Sequence, residues 1–231
     1  MSYKYIKKYF DFTLALILLF LFMLPIVIIS LFITIRTKQF PIYIQHRGLT
    51  LNKFCFKIYK FRTIKKDLRS NWGNNASILY KPGLEKYIYP FGKFLRKTGL
   101  DEIPQLLNVI KGNMSFVGPR PLSIEDLKQI KEQFPSDYNK REQLKIKPGI
   151  TGYWQINKDR FGDISYLIDS DKYYDKKKSF SFDLHIILKS ILISLRGRHK
   201  DSILLNTNPT INIKSDKSYN PKLVNDVQMT R

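Results

Sequence analysis

The sequence predicts an α+β protein that is mostly helical and carries a membrane helix at its N-terminus. Residues Phe12 to Ile35 contain no charged side chain and exceed the roughly 20 residues that a membrane span needs. Residues Gln39 to Arg69 show strand-like alternation, and several segments between Phe91 and Gly197 repeat apolar residues at helical spacing. The predicted parts are a membrane helix at 1–38, a domain at 39–197 and a polar, mobile tail at 198–231.

The charge of the chain indicates an anionic partner. Lysine and arginine number 40 against 19 acidic residues, which gives a net charge of +21 over 231 residues. Such an excess is typical of proteins that bind nucleic acid, an anionic membrane surface or a phosphorylated substrate. No nucleic-acid-binding motif is visible, so we expect no nucleic-acid partner. The single cysteine, Cys55, excludes an internal disulfide, and three scattered histidines argue against a metal site built from histidine.

The apolar N-terminal segment is open to two interpretations. Basic residues stand on both sides of it, at Lys4, Lys7 and Lys8 before the segment and at Arg36, Lys38 and Arg47 after it. The distribution of positive charge therefore favours neither orientation in a membrane. Pro25, near the middle, removes a helical hydrogen bond and predicts a break. A helix that breaks at Pro25 and returns to the cytoplasmic side fits these features as well as a single kinked spanning helix does.

The segment after the membrane helix predicts a strand that presents basic side chains. Residues 57 to 62, KIYKFR, alternate so that Ile58, Lys60 and Arg62 share one face of the strand. The next stretch, Ser70 to Pro90, is polar and rich in turn residues, and it predicts a loop.

Three helices are predicted beyond this loop. The first has one buried face, formed by Leu100, Ile103, Leu107 and Ile110. Ser123 to Phe134 predicts the second, with Ser123 and Asp126 in a capping pattern. Ser181 to Gly197 predicts a third, strongly apolar helix. It is short for a membrane span, so we expect it to lie in the membrane interface, with burial in the core as the alternative.

An adjacent pair of carboxylates, Asp101 and Glu102, stands at the predicted start of the first of these helices. Pro104 then falls in the first turn, where its missing N–H costs nothing. A helix N-terminus favours negative charge and holds anions. One carboxylate can attack phosphorus while the other holds Mg²⁺, which prefers oxygen ligands. A helix cap without chemistry is the alternative, because acidic residues are common at helix starts.

A stiff loop with an arginine follows this helix. Arg120 lies between Pro119 and Pro121, each of which fixes a backbone dihedral, so the guanidinium is presented from a rigid backbone. Such an arginine suits bidentate phosphate binding, and a plain helix stop is the alternative. Tyr153 and Trp154, after a similar turn, either stack on a base or fill the core.

These residues carry a resemblance to a known family. It runs in the family's order from Lys7 to about Ile193, through KKYFDFTLALILL, PIYIQHRG, FKIYKFRTI, FLRKTGLDEIPQLLNVIKGNMSFVGPRPL, KPGITGYWQIN and DKYYDKKKSFSFDLHIILKSI. The chain resembles the small monotopic polyprenyl-phosphate phosphoglycosyl transferases, also called bacterial sugar transferases. Gly99, where serine is usual, and Lys158, where glycine often follows the asparagine, depart from the family pattern.

The resemblance implies an enzyme of the bacterial inner membrane, held by a re-entrant helix, with a small catalytic domain and interfacial amphipathic helices on the cytoplasmic face. Such enzymes transfer a sugar 1-phosphate from a UDP-sugar to undecaprenyl phosphate and release UMP, the initiating step of surface glycoconjugate assembly. The family mechanism has two steps, passes through a phosphosugar-aspartate intermediate and uses Mg²⁺. A homodimer is left open, and neither the sugar nor the glycoconjugate pathway is indicated.

The resemblance also implies roles for individual residues. Asp101 matches the nucleophile, and Glu102 matches the carboxylate that coordinates Mg²⁺. Substrate binding is implied for Lys60, Arg62, Arg96, Arg120 with its flanking Pro119 and Pro121, and Asp183. The alternative from a different class is a non-catalytic, basic, membrane-tethered protein that binds anionic lipids or other polyanions. The net charge of +21 supports that alternative, which gives no reason for a carboxylate pair beside a Pro-Arg-Pro loop.

Overall fold

A computed structural model of the chain describes residues 3–65, 84–157 and 164–197 and confirms a mostly helical α+β fold. The polar tail predicted at 198–231 and most of the loop predicted at Ser70 to Pro90 lie outside these residues. The described helices are α1 (Tyr3–Leu21), α2 (Met23–Thr37), α3 (Pro90–Thr98), α4 (Leu106–Ile110), α5 (Ile124–Gln133), α6 (Pro135–Glu142), α7 (Tyr153–Ile156), α8 (Ile164–Lys177) and α9 (Phe180–Leu195). The strands are β1 (Ile42–Gly48), β2 (Phe56–Phe61), β3 (Ser115–Val117), β4 (Leu122–Ser123) and β5 (Gly149–Thr151), and 3₁₀ turns cover Leu84–Tyr87 and Leu100–Gln105.

The apolar N-terminal segment forms two helices that meet at a sharp bend. α1 ends at Leu21, α2 begins at Met23, and the angle between them is 60°. Among the described helices no single one is long and apolar enough to cross a membrane, whereas this bent pair meets both criteria when taken together. The break lies at Phe22, earlier than the predicted break at Pro25. The reason is that proline has no N–H for the carbonyl four residues before it, here that of Leu21.

A three-stranded antiparallel sheet, ordered β2-β1-β4, positions the basic strand of the sequence analysis. In β2 the side chains of Phe56, Ile58 and Lys60 are buried, while Lys57 is exposed. The face that was predicted to present basic residues therefore packs inward, because it also carries the apolar residues of the strand. Pairing with β1 sets Lys60 opposite Tyr43.

The strands β3 and β5 pair in parallel and bring two distant turns together. A Cβ atom on Gly118 would lie 2.2 Å from the carbonyl oxygen of Lys147, and one on Gly149 would lie 2.1 Å from the backbone nitrogen of Gly118. No side chain fits at such distances, so this close approach of two backbones requires glycine at both positions. The turn after β3 therefore rests directly on the turn before β5.

The helix predicted from Leu100 to Ile110 is instead a 3₁₀ turn, Leu100–Gln105, followed by the short α4. α3 ends where Gly99 adopts a left-handed φ of 73°, which reorients the chain before the turn. A 3₁₀ turn has 3.0 residues per turn instead of 3.6, so the predicted buried face rotates. Leu107 is consequently 39% exposed, whereas its neighbour Leu106 is buried.

The other two predicted helices are present. α5 begins at the predicted cap, where the backbone N–H of Asp126 donates to the Ser123 hydroxyl at 3.1 Å. α9 divides its apolar residues between both predicted environments, since Ile186 is buried in the core while Leu188 and Leu195 are 62% and 79% exposed. α8 was not predicted, although its buried residues recur at helical spacing: Ile164, Leu167, Ile168, Asp171 and Tyr174.

The helix α1 packs onto the rest of the domain. Ala15 of α1 is fully buried in a core cluster that includes Leu106, Phe116 and Ile186. Asp11, also in α1, accepts a hydrogen bond of 2.6 Å from the hydroxyl of Ser115. The N-terminal helix is therefore a layer of the folded domain as well as the first half of the bent pair.

Candidate active site

Asp101 and Glu102 lie in the 3₁₀ turn that follows α3. Both residues are buried, with 3% and 6% of their surfaces exposed. Because this turn is six residues long and is not an α-helix, it does not supply the strong helix N-terminal field that the sequence analysis expected here. The stabilisation of negative charge must come from neighbouring groups.

Lys60 provides the counter-charge for Glu102. Its Nζ lies 2.7 Å from Oε1 of Glu102, and the two side chains are 10% and 6% exposed. β2 directs Lys60 inward because this residue shares a face with Phe56 and Ile58. Loss of one partner from a buried ion pair leaves an uncompensated charge, so each residue depends on the other for its place in the site.

A small polar cleft opens beside this ion pair. Its lining includes four charged residues, which are Arg47, Lys60, Glu102 and Arg120. Three of the four are cations, so the cleft suits a phosphate group. Lys60, Glu102 and Arg120 were predicted from the sequence to lie in the site. Arg47 was not, because the sequence marks it only as a basic residue after the apolar segment; its place in the strand-like stretch that forms β1 was the available signal.

The Pro-Arg-Pro loop, Pro119 to Pro121, is held through its backbone. The N–H of Gly149 donates to the carbonyl of Pro119 at 2.9 Å. Arg47 reaches the other end of the loop, where its Nη1 donates to the carbonyl of Pro121 at 3.0 Å. These contacts add to the stiffness that the two prolines give the backbone, and they agree with the predicted rigid presentation of Arg120.

Trp154 forms a wall of the cleft. The guanidinium of Arg120 lies over its ring, with 4.8 Å between Cζ and the ring centroid, a cation–π arrangement. Trp154 is 2% exposed and packs in a core cluster, and the ring of Tyr153 lies 4.8 Å from that of Tyr173. Of the two alternatives for these aromatic residues, the structure favours packing in the core.

An apolar groove of about 320 Å³ meets the polar cleft. Its walls are formed by α1, α9 and the turn after α3, and its apolar lining includes Leu14, Leu18, Ile103, Leu106, Ile187 and Ile191. Glu102, Ile150 and Gln155 line both cavities. The polar cleft and the apolar groove therefore share one carboxylate, that of Glu102.

Asp183 lies away from the cleft, at the start of α9, and is 2% exposed. Its Oδ2 accepts hydrogen bonds from Lys7 Nζ at 2.7 Å and from the hydroxyl of Tyr3 at 2.9 Å, while Oδ1 accepts one of 2.6 Å from Tyr174. These donors come from α1 and α8. Asp183 therefore fastens α1 to the domain, and the structure does not bring it to the cleft where substrate binding was expected.

Besides Pro119, whose carbonyl contact is given above, three other predicted site residues are not part of the lining of either cavity. Arg62 donates from Nε to the carbonyl of Phe40 at 2.9 Å, and Arg96 lies in the last turn of α3. Asp101 is buried next to Glu102. Within the described ranges, neither the cleft nor the groove has any of the three on its walls. Their roles in phosphate binding and nucleophilic attack stay predictions.

The cleft offers a carboxylate for a metal ion. In the part of the chain that the structure describes, no three His, Cys, Asp or Glu side chains are grouped so as to hold a metal. Mg²⁺, however, usually binds through one or two carboxylates and takes its other ligands from water and substrate phosphates. Glu102 is the carboxylate on the wall of the cleft that could serve as such a ligand, and the binding of Mg²⁺ stays a prediction.

Comparison with known proteins supports the family resemblance found in the sequence. Residues 2–197 match the family described as bacterial sugar transferase. The galactosyl transferase CpsE of Streptococcus agalactiae serotype III is 35% identical over 207 residues, which cover 84% of this chain and 44% of that protein. The undecaprenyl-phosphate galactose phosphotransferase of Salmonella typhimurium is 30% identical over 209 residues, 84% of this chain and 41% of that protein. The uncharacterized sugar transferase EpsL of Bacillus subtilis is 33% identical over 193 residues, 82% of this chain and 88% of that protein.

The chain spans less than half the length of the first two relatives and most of the third. The family match includes both cavities, the carboxylate pair, the Pro-Arg-Pro loop and the bent helix pair. Since it extends over residues 2–197 of 231, the chain belongs to the bacterial sugar transferase family.

Proposed function

We propose that this chain transfers a sugar 1-phosphate from a UDP-sugar to undecaprenyl phosphate and releases UMP, initiating the assembly of a surface glycoconjugate. The observation that supports this proposal is the meeting of the polar cleft and the apolar groove at Glu102. The two substrates differ in the same way, since one is a charged nucleotide and the other a phosphate on a long hydrocarbon chain. The Salmonella typhimurium relative, an undecaprenyl-phosphate galactose phosphotransferase, also supports a lipid phosphate as the acceptor.

In this proposal the diphosphate of the nucleotide-sugar binds at the mouth of the polar cleft, whose own volume of about 10 Å³ admits no more than a group the size of a water molecule. Arg47, Lys60 and Arg120 give the cleft its positive charge, and the loop bonds described above fix Arg120. Guanidinium groups bind phosphate oxygens in pairs, so Arg47 and Arg120 are suited to hold a diphosphate. The phosphate of the lipid acceptor approaches from the groove, whose apolar walls accommodate part of the hydrocarbon chain.

Asp101 is the proposed nucleophile. In the first step a carboxylate oxygen of Asp101 attacks the β-phosphorus of the UDP-sugar, the bond from that phosphorus to the bridging oxygen breaks, and UMP leaves with the electron pair. In the second step a phosphate oxygen of undecaprenyl phosphate attacks the same phosphorus. The bond to Asp101 then breaks and the carboxylate is restored.

Glu102 is the proposed magnesium ligand. It would hold the ion together with oxygens of the diphosphate, while Lys60 keeps its carboxylate in place through the 2.7 Å ion pair. When bound, the ion supplies positive charge that neutralises the diphosphate.

The bent helix pair is proposed to enter the bilayer of the inner membrane as a re-entrant unit, with the catalytic domain on the cytoplasmic face. Large apolar side chains are exposed on both arms of the bend and on α9; they include Phe20, Leu21, Leu24, Ile35, Leu188 and Leu195. An apolar surface of this extent is typical of a protein that contacts a membrane or a partner. Basic residues on both sides of the apolar segment would suit an anionic inner leaflet.

Release of UMP tests the proposal. The full chain in detergent is incubated with Mg²⁺, undecaprenyl phosphate and a panel of UDP-sugars, and we expect UMP from at least one sugar. Asp101→Asn should lower that rate by at least about 10³-fold, and Glu102→Gln should weaken its dependence on Mg²⁺. Glu125→Gln is the matched control, because Glu125 is an exposed carboxylate in the first turn of α5.

Two outcomes would contradict parts of this proposal. Activity retained by Asp101→Asn would exclude the nucleophile assignment, and an unchanged magnesium titration of Glu102→Gln would exclude the metal role. If no UDP-sugar yields UMP, and the chain instead binds polyanions with a steep dependence on salt, the non-catalytic binding protein is favoured.

A further inference from the structure

Arg141 is a buried arginine that lies beneath the Pro-Arg-Pro loop. α6 places it in the core with 0% exposure. Its Nε donates to the carbonyl of Leu49 at 2.6 Å, its Nη1 donates to Oδ2 of Asp171 at 2.7 Å, and its Nη2 donates to the carbonyl of Arg120. The guanidinium therefore joins the residue after β1, α8 and the loop through the three directions of its fork.

Asp171 completes the arrangement from the other side. It lies in α8 with 1% exposure, and its carboxylate accepts a hydrogen bond from the backbone N–H of Arg120. The N–H and the C=O of Arg120 are thus both held by members of one buried ion pair. Hydrogen bonds to charged groups are stronger than those between neutral groups, so this pair restrains the Arg120 backbone more than ordinary loop contacts would.

We propose that Arg141 and Asp171 are positioning residues for Arg120, which they hold over Trp154 at the wall of the cleft so that its guanidinium binds the diphosphate of the nucleotide-sugar. The identity of that ligand rests on the function proposed above. Neither positioning residue touches the substrate. A buried ion pair that merely filled the core would gain little over apolar residues of the same volume, whereas here each partner also forms a hydrogen bond with the backbone of Arg120.

A double-mutant cycle with Arg120 tests this role. Arg141→Lys keeps the positive charge and loses the fork geometry, so we expect the KM for the UDP-sugar to rise by about 10-fold or more, since a displacement of about 1 Å can cost up to 10²-fold. The KM for undecaprenyl phosphate should stay unchanged. Because Arg141 acts through Arg120, adding Arg141→Lys to Arg120→Ala should raise the KM for the UDP-sugar no further. Equal effects in the presence and absence of Arg120 would overturn the proposal.

A spectroscopic readout separates this proposal from the function on which it rests. The chain has two tryptophans, so Trp72→Phe leaves Trp154 as the only one. In that background the emission of Trp154 in Arg141→Lys and in Asp171→Asn should move toward the emission of Arg120→Ala. An emission equal to that of the parent in both variants would overturn the positioning role. Failure of the proposed function would show separately, as absence of UMP release in the parent protein.

Lys140→Met is the matched control, because Lys140 precedes Arg141 on α6 and is partly exposed, where it pairs with the buried Asp137 and the exposed Asp169. It removes a charge that Arg141→Lys retains, so it tests whether charge alone matters. We expect wild-type KM values and wild-type Trp154 emission. A rise in the KM for the UDP-sugar equal to that of Arg141→Lys would show that the effect is not specific to the guanidinium of Arg141, and it would overturn the positioning role. Asp171→Asn keeps the volume of the side chain and carries the kinetic test if Arg141→Lys does not fold.

Discussion

Lys60 Nζ and Glu102 Oε1 lie 2.7 Å apart in a site where both side chains are nearly buried. The pair joins the C-terminal end of β2 to the turn that carries Asp101, across a separation of 42 residues in the chain. It places a positive charge at the point where the polar cleft and the apolar groove meet. Three variants follow from this geometry, and they separate the contribution of the pair to stability from its contribution to activity.

Lys60→Met should destabilise the protein by about 3–5 kcal/mol, because Glu102 is left as a buried charge without its counter-ion. Thermal unfolding in detergent measures this loss. Lys57→Met is the control, since Lys57 is exposed on the opposite face of the same strand, and its melting temperature and UMP release should stay at wild-type values. Adding Glu102→Gln to Lys60→Met should restore part of the stability and none of the activity. A double variant as unstable as Lys60→Met would contradict the uncompensated charge as the cause.

The attachment of α1 to the domain gives a second prediction. Tyr174 donates a 2.6 Å hydrogen bond to the buried carboxylate of Asp183, and Tyr174→Phe removes that donor. We expect a loss of about 1.5–3 kcal/mol in the free energy of unfolding, the range for a hydrogen bond to a charged group. Tyr173→Phe is the control, because Tyr173 is 38% exposed and phenylalanine keeps its ring contact with Tyr153. Equal melting temperatures for the two variants would count against the anchoring role of Asp183.

The buried carboxylate of Asp171 predicts a specific dependence of stability on pH. Burial raises its pKa from 3.8 to about 6, although Arg141 and the backbone N–H of Arg120 favour the charged form. Because the folded state holds this proton more tightly than the unfolded state, the group contributes most to stability below pH 3.8, and that contribution is lost as the pH rises through about 6. Asp171→Asn does not titrate at this position. The melting temperature of the wild type minus that of Asp171→Asn should therefore decrease as the pH rises from 3.8 to about 6, and it should stay constant at higher pH. A difference that does not vary with pH would contradict the raised pKa.

Local patterns predicted some elements of the fold correctly. α5 was predicted with its cap because the Ser123 hydroxyl and the Asp126 N–H lie within one turn of each other, and such an interaction depends on no distant residue. The rigidity of Arg120, expected because the prolines act on adjacent bonds, stays a prediction. The buried face around Leu107 was predicted wrongly, because a 3₁₀ turn and an α-helix share similar sequences and differ in residues per turn.

Contacts between distant segments were beyond prediction from these patterns. The inward direction of Lys60 depends on which face of β2 meets the turn at Glu102, and the pairing register that decides this is a tertiary property. The role of Asp183 depends on Tyr3 and Lys7, which lie 180 and 176 residues away. Arg141 had no role visible in the sequence, because its contacts with Asp171 and Arg120 arise only when α6, α8 and the loop pack together. The features of the site that the sequence did not predict are therefore those that depend on buried charges paired across long sequence separations.

The bend at Phe22 predicts that the two ends of the N-terminal helix pair lie on the same, cytoplasmic side of the membrane. Cysteines introduced at Ser2 and Lys38 report the two ends, after the exposed Cys55 is replaced by serine. In a re-entrant arrangement a membrane-impermeant maleimide applied to intact spheroplasts labels neither end, and both become labelled once the membrane is permeabilised. Labelling of one end from outside would exclude that arrangement.

Pro25→Leu tests the origin of the bend in the same two cysteine backgrounds. The new N–H at position 25 can donate to the carbonyl of Leu21, which removes the reason for the 60° break and lets α1 and α2 join into one helix. The joined helix is long and apolar enough to span a bilayer. We therefore expect the cysteine at one end to become labelled in intact spheroplasts, while that at the other end stays protected. Ile26→Leu is the control, since it changes the neighbouring residue and leaves the missing hydrogen bond of Pro25 in place. If Pro25→Leu labels like its parent, the bend does not depend on the proline, and packing of α1 and α2 against the domain must hold it.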